Sequence, residues 1–162
     1  MVVIEQQSFR GTVLMYGIIM LELPTLLLIS LLYFNGKLGD GGWIAFATVG
    51  TLIPLTFILM MSLVLETRID PYSFSYRNFP FQTNWKKIRK EDISSISIQK
   101  KDGFPDYGGI GLRFYGKTKA YIYFADHVIE IESGAKKLVL TTKKPKEFEA
   151  VIDLWRAEKL VN

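Results

Sequence analysis

Cysteine is absent from this sequence of 162 residues, and histidine occurs once, at His127. Without cysteine the chain has no disulfide, no thiolate metal site and no thiol nucleophile. A single histidine excludes a histidine pair on zinc, and His127 fits a turn residue between Asp126 and Val128 better than a metal ligand. We therefore expect no metal, no cofactor and no catalytic residues, and we predict a protein that is not an enzyme.

Charge is scarce in the first 65 residues, because residues 66–162 contain 18 of the 20 basic and 13 of the 16 acidic residues. Two apolar runs of 23 residues, 12–34 and 43–65, contain one charge between them. At a rise of ~1.5 Å per residue, each run forms a helix of roughly 35 Å, enough to cross ~30 Å of hydrocarbon. The composition predicts a transmembrane helical hairpin over residues 1–65, followed by a cytoplasmic domain over residues 66–162.

A signal peptide and a soluble helical hairpin both fit the apolar runs less well than membrane spans do. The apolar core of a signal peptide has only about 7 to 15 residues, and no second run follows it so closely. A soluble hairpin that is apolar all round needs more protein to cover it than residues 66–162 provide. The glycine-rich connector 35–42 favours a tight turn. Because Arg10 precedes the first run and many cations follow the second, we expect a multi-pass protein of the cell (inner) membrane with both termini cytoplasmic.

Glu22 lies near the centre of the first predicted span. An ionised carboxylate there costs at least ~2.5 kcal/mol, so we expect a neutral or paired acid. Its candidate partners are Thr51 and Thr56, at similar depth in the second helix, and the carbonyls that Pro24 and Pro54 leave without an N–H donor. Glu22 then either ties the two helices together or acts in an oligomeric transport or channel-like assembly.

Beyond residue 65 the apolar residues follow a period of two, in short runs separated by turn signals. This pattern predicts a small, mostly β domain with antiparallel strands. The predicted strands are Val64–Asp70, Phe74–Phe79, Thr83–Arg89, Ile93–Lys100, Ile110–Tyr115, Ala120–Ala125, Val128–Glu132 and Lys137–Thr142.

The last segment of the chain has the period of a helix. Pro145 suits a first turn, and acidic residues follow it at the positive end of the helix dipole. An apolar stripe at i, i+3, i+4 and i+7 predicts an amphipathic helix over 145–158. The stripe consists of Phe148, Val151, Ile152 and Trp155. We therefore expect an α+β, mostly β domain, an antiparallel barrel or sandwich that this helix closes.

Basic residues form two candidate sites. One set follows the second span and is expected to hold anionic lipid headgroups at about 1 kcal/mol per residue, or else to form a solvated strand end. It consists of Arg68, Arg77, Lys86, Lys87, Arg89 and Lys90. The second set is Lys143, Lys144 and Lys146, at the start of the last helix, whose free N–H groups suit an anion or another ligand unless these are ordinary surface lysines. Interleaved acidic residues argue against nucleic acid.

Six segments over most of the chain carry a family resemblance. They are Glu5–Arg10, Tyr76–Phe81, Trp85–Ile88, Glu91–Ile93, Tyr107–Arg113 and Lys144–Phe148. In these segments the chain resembles the bacterial pleckstrin-homology-like (PH-like) membrane proteins that place a transmembrane hairpin before the β domain. The resemblance implies a PH-like antiparallel barrel or sandwich with a C-terminal amphipathic helix, and it implies no catalytic residues.

Three functions follow from these patterns. The leading prediction is a membrane-anchored, non-enzymatic module whose cytoplasmic surface binds a protein partner, a second copy of the chain or anionic lipid headgroups. The alternative is a subunit of an oligomeric transport or channel-like assembly that uses Glu22. An enzyme acting at the membrane requires acidic residues and lysines of the second half to converge in one pocket, which the sequence does not indicate.

Overall fold

The structure is a computed structural model that describes residues 1–101 and 107–161, and these residues form two compact units. One unit is Phe9–Leu63. The other combines Met1–Ser8 with the chain from Val64 onward. The first eight residues thus belong with the β structure, whereas the sequence boundary at residue 65 assigned them to the hairpin.

The helical unit contains α1 (Val13–Phe34) and α2 (Gly42–Ser62). Both helices are long and apolar enough to cross a membrane, by length and composition. Within α1 and α2, which the structure describes in full, the only buried residues are Gly42 and Met61. The prediction of two helices of spanning length is confirmed. The second helix ends at Ser62 rather than at residue 65, because Leu63 is already extended (φ −67°, ψ 121°) and leads into a strand.

Contacts join the two arms of the hairpin at both of its ends. Near the connector, the Tyr33 ring stacks on the Phe46 ring with centroids 4.6 Å apart and planes 10° apart. At the other end, Arg10 Nε donates a hydrogen bond of 2.9 Å to the carbonyl of Met61. This cation lies at the negative end of the α2 dipole, where a positive charge is favourable.

The first sheet is antiparallel, with strand order β1-β2-β3-β4. Its strands are β1 (Val3–Ser8), β2 (Val64–Asp70), β3 (Ser73–Phe79) and β4 (Gln82–Arg89). Strand β1, which the sequence patterns did not predict, pairs with β2 so that Ser8 lies opposite Val64. The helical hairpin is therefore an insertion between two neighbouring strands of one sheet.

The second sheet has the order β5-β8-β9-β7-β6. Its strands are β5 (Ser95–Lys100), β6 (Gly111–Tyr115), β7 (Thr118–Ile122), β8 (His127–Ser133) and β9 (Lys136–Thr142). The prediction of antiparallel pairing throughout is wrong at one place, since β7 and β9 are parallel. The reason is that β8 crosses to the far side of β9, which leaves two strands of the same direction side by side.

Helix α3 (Pro145–Val161) packs against both sheets, and its predicted apolar stripe is buried. Trp155 Nε1 donates to the Asp70 carbonyl of the first sheet at 3.1 Å, and Arg156 donates to the Ile96 carbonyl of the second sheet at 3.2 Å. The predicted helix is confirmed and extends three residues further. The coarse α+β layout is confirmed as well, but the strands among the described residues form two separate sheets and no closed barrel.

Side chains of β1 connect the first sheet to β9 of the second. Gln7 Nε2 donates to the Thr141 carbonyl at 2.6 Å, and Thr141 Oγ1 donates back to Gln7 Oε1 at 3.1 Å. The Glu5 carboxylate accepts from Thr142 Oγ1 at 2.6 Å. Because buried polar groups require partners, these contacts specify how the two sheets face each other, and β1 is an integral part of the β unit.

Candidate anionic-ligand surfaces

The basic residues predicted to follow the membrane do not form one patch. Side chains of successive strand residues point to opposite faces of a sheet. Lys87 pairs with Ser75, which pairs with Arg68, so these side chains share the outer face of the first sheet. Lys86 pairs with the buried Tyr76 and points to the opposite face, toward the second sheet. Arg77 and Arg89 lie on the outer face by the same alternation.

On the outer face, carboxylates of the same sheet balance part of the positive charge. Arg77 Nη2 is 2.7 Å from Glu66 Oε2, and the Arg77 guanidinium lies over the Trp85 ring at 4.7 Å. Arg68 Nε is 3.9 Å from Asp70 Oδ2. Burial raises the pKa of Asp70, but hydrogen bonds from the Tyr72 and Ser73 segment and the charge of Lys87 outweigh it, so this pKa lies below its usual value. The outer face therefore carries only a modest positive excess.

Lys90 is separated from the other predicted cations. It lies in a short 3₁₀ turn after β4, and its ammonium group forms an ion pair with Glu158 of α3. Only a small part of its side chain is exposed. The role that the structure shows for Lys90 is to attach the end of β4 to α3.

Lys86 lines a groove of about 640 Å³ between the two sheets, which we call the lysine groove. Three apolar residues and six lysines line it, and among the described residues no carboxylate does. Of the six, Lys87 and Lys137 direct their side chains to the other faces of their sheets, because each follows or precedes a residue that faces the groove. The lining residues are Tyr76, Lys86, Lys87, Ile88, Lys117, Lys119, Ile131, Ser133, Lys136, Lys137 and Leu138. Sequence reasoning found Lys86 and Lys87 but missed the other four lysines, because they lie on turns and strands far along the chain.

Lys119 is the most enclosed of the unpaired cations in this groove. Its Nζ lies 5.0 Å from the centroid of the Tyr121 ring and 5.5 Å from that of Phe114, so the electron-rich faces of two rings stabilise the ammonium group. Burial lowers the pKa of Lys119, and the positive charge of Lys86 lowers it further. Lys86 and Lys119, from the two sheets, therefore act on each other across the groove.

Glu130 forms a buried charge network on the second sheet. Its carboxylate lies 2.7 Å from the ammonium groups of Lys101 and Lys137 and accepts a hydrogen bond of 2.8 Å from the Tyr107 hydroxyl. Burial alone raises the pKa of Glu130, but these three donors outweigh it and bring the pKa to about 2. The network is placed to stabilise the sheet, and it holds the Lys137 ammonium group on the face of the sheet that carries Glu130.

The start of α3 already has a carboxylate from its own chain. Glu5 Oε1 accepts a hydrogen bond of 2.7 Å from the backbone N–H of Lys143. Lys144 Nζ donates to the Ile4 carbonyl at 3.3 Å and lies 3.5 Å from Glu147 Oε2. Lys143, Lys144 and Lys146 line a shallow depression of about 320 Å³. A ligand site at these three lysines stays a prediction.

An aromatic turn marks one end of the first sheet. Phe79 and Phe81, at the turn from β3 to β4, are 49% and 66% exposed. Phe79 lies opposite Val64, which lies opposite Ser8. The turn is thus at the end of the sheet where the chain leaves for the helices and returns. The sequence signal was the Phe-Pro-Phe segment between two predicted strands, which belongs to the family resemblance but was assigned no role there.

Glu22, Thr51 and Thr56 all lie within the two apolar helices. Thr56 Oγ1 donates to the Ile53 carbonyl of its own helix at 2.8 Å, and Thr51 is exposed. Glu22 is partly exposed, and in the described part of the chain its carboxylate forms no hydrogen bond or ion pair with either threonine. A role for these residues inside the membrane stays a prediction.

Comparison of the chain with models of protein families, with curated proteins and with solved structures finds no match. Within residues 1–101 and 107–161, no three histidine, aspartate or glutamate side chains converge to hold a metal ion. What the fold does bring together is a set of lysines from both sheets, and lysines of this kind bind anions.

Proposed function

We propose that this chain is a non-enzymatic, membrane-anchored PH-like module whose helical hairpin crosses the cell membrane and whose β unit binds anionic groups at the cytoplasmic face. The observation that carries this proposal is the insertion of the hairpin between β1 and β2. Ser8 and Val64 are opposite each other, and a single residue, Leu63, separates α2 from β2. The β unit is thus connected to the proposed span through one residue.

The exposed apolar surface of the helices supports the membrane part of the proposal. Leu21, Leu31 and Ile58 are among many large side chains of α1 and α2 that no other part of the structure covers. Soluble monomers rarely expose apolar patches larger than a few hundred Å². Hydrocarbon chains of a bilayer provide the cover that the described protein does not.

The distribution of cations supports a cytoplasmic β unit. Arg10 lies at the end of the hairpin that joins the sheet, and the cations of β2, β3 and β4 follow α2 within 28 residues of its last residue, Ser62. Basic residues next to spans favour the cytoplasmic side. Pairing of β1 with β2 is consistent with both termini on that side.

The C-terminal helix, which packs on both β sheets, supports the PH-like relationship. The parallel pair of β7 and β9 departs from a PH-like domain in which all strands are antiparallel.

The absence of cysteine makes the topology directly testable. We would introduce one cysteine at Lys37, in the connector between the helices, and in a second variant one at Glu149, on the exposed side of α3. A membrane-impermeant maleimide added to intact cells should label Lys37→Cys and leave Glu149→Cys unlabelled until the cells are permeabilised. The reverse pattern, or recovery of the chain in the soluble fraction, would contradict the proposal.

Glu22 favours a second candidate, a subunit of an oligomeric membrane assembly. Among the described residues its carboxylate has no partner in its own chain, and a polar side chain in hydrocarbon is stabilised by a partner on another helix. Native mass spectrometry of the detergent-extracted protein should then show an oligomer that Glu22→Gln weakens. A strict monomer before and after the substitution would remove this candidate.

A further inference from the structure

We propose that the lysine groove is a binding site for a ligand that carries two or more phosphate groups. This inference deepens the proposed function. It rests on that function only if the ligand is part of a lipid. Four ammonium groups without a carboxylate partner among the described residues, on Lys86, Lys117, Lys119 and Lys136, line one groove of about 640 Å³.

The cations reach the groove from separate parts of the fold. Lys86 comes from β4 of the first sheet, whereas Lys119 comes from β7 of the second. Lys117 and Lys136 are adjacent across the parallel pair, because the Lys137 N–H donates to the Lys117 carbonyl at 3.2 Å. The charges are thus spread over both walls, which suits several phosphate groups better than one carboxylate.

Charge balance distinguishes this groove from the rest of the β unit. On the outer face of the first sheet, Arg68 and Arg77 each have a carboxylate of the same sheet beside them. Of the six lysines that line the groove, Lys87 acts on Asp70 and Lys137 pairs with Glu130, whereas the other four have no carboxylate partner among the described residues. The charges of Lys86 and Lys119 act on each other across the groove, and an anion between them removes that repulsion.

Lys119 shows that the site is organised before a ligand arrives. Its neighbours along the face are Leu138, its register partner, and Tyr121, whose ring lies beneath its ammonium group. Ordered packing around a cation reduces the side-chain entropy lost on binding. Since burial and the charge of Lys86 lower the pKa of Lys119, a bound phosphate should raise that pKa toward its ordinary value.

The test uses the full chain in detergent and isothermal titration calorimetry with three probes: inorganic tripolyphosphate, inorganic phosphate and a hexaglutamate peptide. We expect tripolyphosphate to bind most tightly. Lys86→Met and Lys119→Met, which retain most of the apolar stem, should each weaken it about tenfold, the loss expected for one charged contact. The matched control is Lys100→Met, an exposed lysine at the end of β5 that belongs to neither candidate anion site, and it should leave binding unchanged.

Three results would overturn the proposal: unchanged affinity in both groove variants, a loss of affinity in Lys100→Met, or binding of hexaglutamate in preference to tripolyphosphate. Far-UV circular dichroism verifies that each variant is folded. A second arm repeats the titration in nanodiscs. If the ligand is a lipid headgroup, cardiolipin, which carries two phosphates, should compete with tripolyphosphate, whereas phosphatidylglycerol at equal charge should not. If the ligand is a soluble compound, the two lipids should compete equally.

The two proposals fail separately. Binding of tripolyphosphate in detergent does not depend on which side of the membrane the β unit occupies, whereas cysteine labelling does not depend on the lysines. Reversed labelling with intact binding would remove the cytoplasmic assignment and leave the groove. Normal labelling without binding would remove the groove and leave the anchored module.

Discussion

Replacing Glu130 by glutamine should destabilise the β unit by an amount that depends on pH. The Glu130 residue is 7% exposed, and its carboxylate is bound by Lys101, Lys137 and the Tyr107 hydroxyl. Glutamine keeps the shape of the side chain but removes the negative charge. Two ammonium groups then lie beside a neutral amide, without the carboxylate that they contact in the native protein.

The expected magnitude follows from the pKa of Glu130, which is about 2 in the folded protein against an ordinary value of 4.5. One pKa unit corresponds to about 1.4 kcal/mol. Lys101 and Lys137 are themselves partly exposed, and solvent weakens their electrostatic attraction to Glu130. We therefore expect Glu130→Gln to lower the free energy of unfolding by about 2 to 3 kcal/mol. The folded pKa is lowered, so this stabilisation is complete well above pH 4.5 and is lost as the pH falls toward about 2.

Urea unfolding of the full chain in detergent measures this effect. With Trp43→Phe and Trp85→Phe in every protein, fluorescence reports only the buried Trp155 of α3. The free energy of unfolding is compared between Glu130 and Glu130→Gln at about pH 7 and about pH 3. Glu132→Gln is the control, because Glu132 is half-exposed and 4.0 Å from Lys137, and it should change stability by less than about 0.5 kcal/mol. Equal losses for the two variants, or a difference that does not shrink at low pH, would refute the reasoning.

Three further predictions follow from the first sheet. Replacing Phe9–Leu63 by Asn-Gly, a two-residue hairpin turn, should give a β unit that is folded and soluble without detergent, because Ser8 and Val64 are already paired. Gel filtration and circular dichroism measure this, and aggregation would contradict it. We expect the exposed Phe81 to contact lipid, because it lies at the end of the sheet where the chain leaves for the helices. With Trp43→Phe and Trp85→Phe in both proteins, Phe81→Trp in vesicles should be quenched by brominated lipid, whereas Tyr72→Trp, exposed at the opposite end of the sheet, should not; equal quenching would exclude this contact. Gln7→Ala removes two buried hydrogen bonds to Thr141 and should cost about 2 to 4 kcal/mol in the urea assay, a loss that a value near zero would contradict.

Local periodicity accounts for what could be predicted about the fold. The apolar runs specify α1 and α2 because a helix of spanning length needs only that its own residues be apolar. Alternation of apolar residues located most strands within about two residues, and the stripe from Phe148 to Trp155 located α3 and its buried face. The end of α2 was misplaced, because Leu63–Leu65 is as apolar as the helix before it and only pairing with β1 makes Leu65 part of a strand core.

The candidate site was predicted only in part, because it depends on pairing between distant segments. Composition identified Lys86 and Lys87 as neighbouring cations, but the alternation of a strand places them on opposite faces once its register is known. Lys119 and Lys136 joined Lys86 only through the packing of the two sheets. Glu5, to which the sequence patterns assigned no role, is a buried acceptor for Thr142 and Lys143.

By itself the sequence determined the two apolar helices, most of the strands and the amphipathic C-terminal helix, because each depends on residues close together in the chain. The tertiary structure alone decided that Val3–Ser8 pairs across a 55-residue insertion with Val64–Asp70, and that lysines of both sheets share one groove. These contacts depend on which distant strands pair, in which register, and on how the two sheets pack. The local periodicity of the sequence does not indicate either of these.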